Sequence, residues 1–114
     1  MKIVPSEFEL KPPAPPEEPG PGEANVVLQN YPNPFTDETT VEYSIAEEGN
    51  VTLEVFDALG QPVFTLAAGN RTPATYTVAW NGRSTNGREV PSGVYVIRLT
   101  TPQGTSSVRA LKVR

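Results

Sequence analysis

From Val26 to Val113 apolar and polar side chains alternate with a period of two, the spacing of strands whose two faces meet different surroundings. Residues 26–29 make the first short run. Residues 39–45 follow, with Val41, Tyr43 and Ile45 on one face and Thr40, Glu42 and Ser44 on the other. A turn over residues 46–50 contains Gly49. Residues 51–57 place Val51, Leu53 and Val55 inward, then turn through Ala58, Leu59 and Gly60. Residues 62–66 return as an edge strand, since Pro62 at the entry lacks only a donor that an edge does not need. Residues 67–73 read as a loop. Residues 75–81 align Tyr76, Val78 and Trp80, and Trp80 is the largest core side chain this pattern predicts. Residues 81–92 form a long loop in which Asn86 and Gly87 suit a tight type I′ turn. Residues 93–101 align Tyr95, Ile97 and Leu99; Pro102, Gln103 and Gly104 turn the chain, and residues 105–114 close it.

No ten-residue window carries an apolar stripe of helical period. Short strands separated by turn signals, seven in all and with a buried tryptophan, predict an all-β fold: an immunoglobulin-like antiparallel sandwich of two sheets.

The alternation starts late because the N-terminal part is built differently. Seven of the thirteen prolines fall within the first 21 residues, so the folded domain is expected over residues 24–114. Residues 1–10 form an extended arm in which Ile3 and Val4 precede Phe8 and Leu10, the latter pair alternating with Glu7 and Glu9. Pro5 restricts that arm to an edge position in any sheet. Residues 11–23 are a Pro/Glu-rich linker of polyproline character, able to span roughly 40 Å, more than the diameter of the domain itself. No apolar run reaches the length of a membrane span. Residues 1–20 hold no apolar core or small-residue cleavage site, so no signal peptide is expected there, and Met1 reads either as an added starting residue or as the start of a piece cut from a longer secreted chain.

Composition narrows the chemistry. With no cysteine, neither a disulfide framework nor a thiolate metal site can form. With no histidine, the commonest general base and metal ligand is missing. Carboxylates would have to carry any catalysis, and the adjacent pairs in the folded part, Asp37-Glu38 and Glu47-Glu48, sit at turns and supply too few oxygens for calcium. The glycine-containing loop at 81–93 has no phosphate-binding spacing. A sequence pI near 4.8 argues against nucleic acid. Asn50 and Asn70 each open an Asn-X-Thr triplet, the acceptor pattern for N-glycosylation. Tyr76 and Trp80 could form a sugar platform, but they share a face with Val78, which places them in the core. No enzyme activity, cofactor, metal or small-molecule substrate is expected. The charge is uneven: residues 1–48 hold ten acids and two bases, a net of −8, and residues 49–114 hold three acids and seven bases, a net of +4. Ordinary solvation and head-to-tail attraction between copies both fit that split.

Several ordered motifs carry a family resemblance. Leu28-Gln-Asn-Tyr-Pro-Asn-Pro-Phe35 followed by Thr39-Thr-Val-Glu-Tyr43 resembles the opening of the C-terminal sorting domain of the bacterial type IX (Por) secretion system. The segments Val51 to Val63, Tyr76 to Gly82 and Pro91 to Leu99 resemble later parts of that family, and the Ig-like domain of flagellar hook-capping proteins is similar in the same places. Within these motifs Pro32 and Pro34 are expected to stiffen a corner that brings Tyr31 and Phe35 over one end of the core, and Gly60 to supply the positive φ of a short hairpin. The resemblance implies a module at the end of a secreted or cell-surface protein, recognised by an outer-membrane export machinery and serving as a sorting and anchoring domain. It implies recognition through the last strand at Arg109, Lys112, Val113 and Arg114, of which Arg109, Lys112 and Arg114 would form a basic edge; those bases equally suit protection of an edge strand from aggregation.

One departure from the family pattern opens an alternative. A segment like Pro5 to Leu10 usually runs almost directly into the Gln-Asn-Tyr-Pro-Asn-Pro-Phe motif; here the linker intervenes and residues 25–28 supply the lead-in a second time. One chain thus holds two candidates for one strand. The arm, through Ile3, Val4, Phe8 and Leu10, could complete the sheet of a neighbouring copy, and such head-to-tail donation builds an extracellular filament.

Overall fold

The computed structural model describes residues 27–113, and the arm residues Ile3, Val4, Phe8 and Leu10, the linker, and Arg114 lie outside the described residues. Seven strands follow in order: β1 (Leu28–Tyr31), β2 (Thr39–Ile45), β3 (Gly49–Phe56), β4 (Pro62–Arg71), β5 (Ala74–Trp80), β6 (Gly93–Thr101) and β7 (Gly104–Lys112). All pairings between them are antiparallel. They form a three-stranded sheet, β1-β2-β5, and a four-stranded sheet, β4-β3-β6-β7. The chain is the all-β, immunoglobulin-like sandwich that its alternation predicts.

The core is the sum of the inward positions. Val41, Tyr43 and Ile45 from β2 face Val51, Leu53 and Val55 from β3 and Tyr95, Ile97 and Leu99 from β6, all buried. Pairing Val41 with Val78 and Leu53 with Leu99 keeps these β-branched and long aliphatic side chains on one face of each sheet. Trp80 is fully buried between Phe35, whose ring centre is 5.6 Å away, and Tyr95 at 5.4 Å. Its indole N–H donates to the Arg83 carbonyl at 3.0 Å, so the large ring is buried without an unmet donor. Tyr76 is half-buried and stacks on Tyr43 at 5.4 Å. Both aromatics proposed for a sugar platform therefore point into the sandwich.

β1 lies two residues later than the expected run, at Leu28–Tyr31 in place of 26–29, and the structure departs from the pattern reading at four further places. β3 begins at Gly49, inside the expected turn, where Pro102 packs so closely that a Cβ would lie 2.8 Å from it. β4 runs on to Arg71, so residues 67–71 are strand and not loop; two register shifts against β3 disrupt the alternation that would have revealed it. In the β5–β6 connection the Gly87 N–H donates to the Ser84 carbonyl and the Ser84 N–H to the Arg88 carbonyl, which makes Gly87 (φ 85°) the residue after the turn, not its centre. The closure is thus wider than a type I′ turn, a type I-like turn followed by a left-handed glycine. Finally, the prolines turn Phe35 into the core but leave Tyr31 48% exposed, because Tyr31 falls on the outward parity of β1.

The β3–β4 hairpin follows its residues closely. Asp57 Oδ1 accepts from the Leu59 and Gln61 N–H groups at 2.9 Å each, and Gly60, with φ 86°, closes the turn on the Asp57 carbonyl.

Candidate interaction surface

β7 is the last strand and one edge of the four-stranded sheet. Its parity sorts the residues that the family resemblance singled out. Ala110 and Lys112 face inward and are buried; Arg109, Leu111 and Val113 face outward and are exposed. Arg109 and Val113 therefore remain available to a partner. Lys112 does not: it is 2% exposed, with its ammonium 3.1 Å from a Glu89 carboxylate oxygen. Its stem crosses Gly82 and Phe35, and Gly82, at φ 74°, has a backbone that few other residues adopt; a Cβ there would lie 2.8 Å from Lys112 Cε. The expected basic edge is thus corrected to Arg109 alone among the described residues, and Lys112 is a clamp between β7 and the β5–β6 connection. The signal was in the sequence: counting by twos from Val108 through Ala110 puts Lys112 on the core side.

The outer edge of β7 is closed over half its length by the corner between β1 and β2. Phe35 bridges Lys112 in parallel, its N–H donating to the Leu111 carbonyl and its carbonyl accepting from the Val113 N–H, both at 2.9 Å. Asn33 extends the closure with its side chain: Nδ2 donates to the Arg109 carbonyl at 3.0 Å and Oδ1 accepts from the Leu111 N–H at 2.9 Å. An amide with one donor face and one acceptor face here imitates a strand residue. Sequence reasoning missed Asn33 because its partners lie 76 and 78 residues further along the chain.

On the outer face beside Arg109, Val94 and Leu111 are cross-strand partners, 42% and 38% exposed, and Val113 is 38% exposed. Phe56 and Arg98 add a second patch, the guanidinium carbon 4.3 Å from the ring centre. The result is an apolar strip with cationic neighbours. Around the hairpin end an open cleft of about 260 Å³ is lined by Asp57, Leu59, Pro91 and Val94 among others. Asp57 is already engaged with backbone N–H groups there, and the Tyr95 hydroxyl donates to the Pro91 carbonyl at 2.6 Å. Burial, reinforced by the Asp57 charge, pushes the Tyr95 hydroxyl pKa above its ordinary value.

Elsewhere the polar groups are spent on structure. Glu47 accepts from the Gln103 amide and Glu48 from the Asn70 amide. Asp37 and Glu38 are exposed in the β1–β2 corner. Asn50 and Asn70 are direct cross-strand partners, both exposed. Among the described residues no three His, Cys, Asp or Glu side chains converge as a metal site would require.

A family model described as the FlgD Ig-like domain matches residues 30–105. The chain belongs to that family. Its match begins within β1 and ends at the second residue of β7, so the FlgD Ig-like domain takes in β2 to β6 and leaves most of the clamped last strand outside. Solved structures agree on the fold. Latent, dimeric PorU from Porphyromonas gingivalis is similar over 75% of this chain with a TM-score of 0.61 and 19% identity. PorZ, described as an essential surface component of the type IX secretion system of the same bacterium, is similar over 76% with a TM-score of 0.56 and 24% identity. FlgD from Xanthomonas campestris, a hook-capping protein, is similar over 75% with a TM-score of 0.52 and 22% identity. The chain spans only 9% of PorU and 11% of PorZ, and 64% of that FlgD chain. No curated protein matches it.

Proposed function

We propose that the chain is a non-catalytic secretion and surface-anchoring module, read by a bacterial outer-membrane export machinery through β7. The observation that carries this reading is the division of labour within that strand. Lys112 and Ala110 lock it into the sandwich, while Arg109, Leu111 and Val113 stand outward on a rigid base. A partner that reads this surface meets a preformed shape and loses little entropy of ordering. Similarity to PorZ in fold, and the ordered motifs shared with type IX sorting domains, support the same reading. So does a chain without histidine or cysteine, whose polar side chains mostly hold turns and edges. The module then works extracellularly or at the bacterial cell surface, with protein partners and no small-molecule substrate. The test is to fuse residues 24–114 to a reporter in a bacterium with an active type IX system. Export of the fusion is the expected result, and retention in the periplasm would overturn the proposal.

A second reading, a subunit of an extracellular filament joined by donation of the N-terminal arm, has one observation in its favour. Half of the β7 edge is left open, as described next.

A further inference from the structure

The outward-facing backbone groups of β7 fall on alternate residues. At Leu111 both groups, at Val113 the N–H and at Arg109 the carbonyl are met by Phe35 and Asn33. One step back, the same alternation turns the Arg109 N–H and the N–H and carbonyl of Ser107 to the outside. No hydrogen bond from the described residues meets them there. The strand therefore has a closed half and an open half. Beside the open half Leu28 and Val108 are only partly buried against the core, and Val27 is 43% exposed, so the side of the sandwich between β1 and β7 is incompletely covered.

We infer that this open half, from Thr105 to Arg109, is the acceptor edge for the segment from Ile3 to Leu10 of a second copy. The inference rests on the filament reading above and names its docking site. An extended segment laid along Ser107 would satisfy the idle backbone groups as an added strand. With Phe8 and Leu10 turned inward they meet Val108 and Leu28. Glu7 and Glu9 then fall on the outer face, on the same side as Arg109 and Arg98. Charge also separates this edge from the others. The three-stranded sheet, which ends in β5, contains Glu42 and no lysine or arginine. β4 is bulged twice, and its Val63 carbonyl is taken by the Thr85 N–H and hydroxyl. A Pro-rich linker resists the tight reversal needed to bring the arm back beside its own root, which favours a neighbour as acceptor. Donation and export would then use the same strand, so a copy whose edge is filled presents less of β7 to an export machinery.

Because the chain contains no cysteine, cross-linking can read the contact directly. Full-length chains carrying Glu7→Cys are mixed with chains carrying Ser107→Cys, Thr65→Cys on β4, or Thr77→Cys on β5, oxidised, and run on a non-reducing gel. The expected result is a heterodimer formed several-fold more with Ser107→Cys than with either control. In the chain carrying both Glu7→Cys and Ser107→Cys, a ladder of multimers is expected; a cross-linked monomer would overturn donation to a second copy. Stronger cross-linking to Thr65→Cys or Thr77→Cys would overturn the choice of edge while leaving donation standing. No arm cross-link at any edge, with multimers still formed after deletion of residues 1–10, would overturn donation itself. Ser107→Pro removes only an outward N–H, which an edge strand tolerates. With near-UV circular dichroism confirming the packed Trp80, it should sediment as monomer at concentrations where the parent associates. A folded Ser107→Pro protein that still associates, or a parent that stays monomeric at every concentration, counts against the inference.

Discussion

Lys112 is held mainly by its stem. Glu89 is 61% exposed, so solvent screens the ion pair and leaves it worth well under the strength of a buried one. The four methylenes, in contrast, lie against Phe35 and Gly82 with 2% of the residue exposed. Replacing the head while keeping the stem is therefore mild: Lys112→Met should change unfolding free energy by less than about 1.5 kcal/mol. Lys112→Ala empties the site and should cost about 2 kcal/mol or more, visible as a fall of roughly 10 °C in Tm. Equal damage from the two would show that the charge, not the stem, holds the strand. Tyr95 gives a second residue-level expectation. Its pKa is raised in the folded state, so the unfolded chain loses that proton first as pH rises. Its contribution is present in full below the unfolded value of about 10 and is lost above it. Urea unfolding should thus show stability independent of this group from pH 7 to 9 and declining beyond about 10. In Tyr95→Phe that alkaline decline should flatten, at a cost of about 1 kcal/mol near neutrality for the hydrogen bond to Pro91.

Between elements, the corner after β1 decides how β7 ends. Asn33→Ala removes the donor to Arg109 and the acceptor from Leu111 together, and should cost about 1–2 kcal/mol. Hydrogen exchange would report the loss locally, with the Leu111 amide exchanging faster while amides in β3 keep their protection. Asn33→Asp keeps the acceptor but sets a carboxylate against the Arg109 carbonyl, so it should be worse than a simple loss of the donor. The strands themselves were mostly legible because β2, β3 and β6 alternate cleanly and put large apolar residues, most of them β-branched or aromatic, inside. The end of β4 was not. Ala67, Ala68, Gly69 and Asn70 have weak strand preference and no alternation, and they are strand because Leu53, Thr52, Val51 and Asn50 opposite them need a partner. The same limit applies to the interaction surface. Parity along β7 sorts Arg109 from Lys112 without a structure, yet the closure by Asn33 and Phe35 comes from a corner on the other side of the molecule, and no local pattern announces it.

For the whole molecule, β7 is both the proposed recognition element and the strand that closes the sandwich, and a test of function must separate these. Deleting residues 110–114 would remove Ala110 and Lys112 from the core, strip the bonds that Phe35 and the Asn33 Oδ1 make, and leave the start of β6 without its neighbour. Several kcal/mol would be lost from a domain of this size, whose whole stability is typically about 5–15 kcal/mol. Such a deletion should melt far below the parent, and its failure to be exported would say nothing of recognition. Changes confined to the outward parity avoid the difficulty. Arg109→Ser and Val113→Ser touch side chains that are exposed on the outer face, so each should shift unfolding free energy by no more than about 0.5 kcal/mol. The reporter fusion carrying both should keep its melting temperature within a few degrees and yet lose export. Normal export from that folded double variant would mean that recognition lies elsewhere on the domain, and would remove β7's outer face from the proposed mechanism.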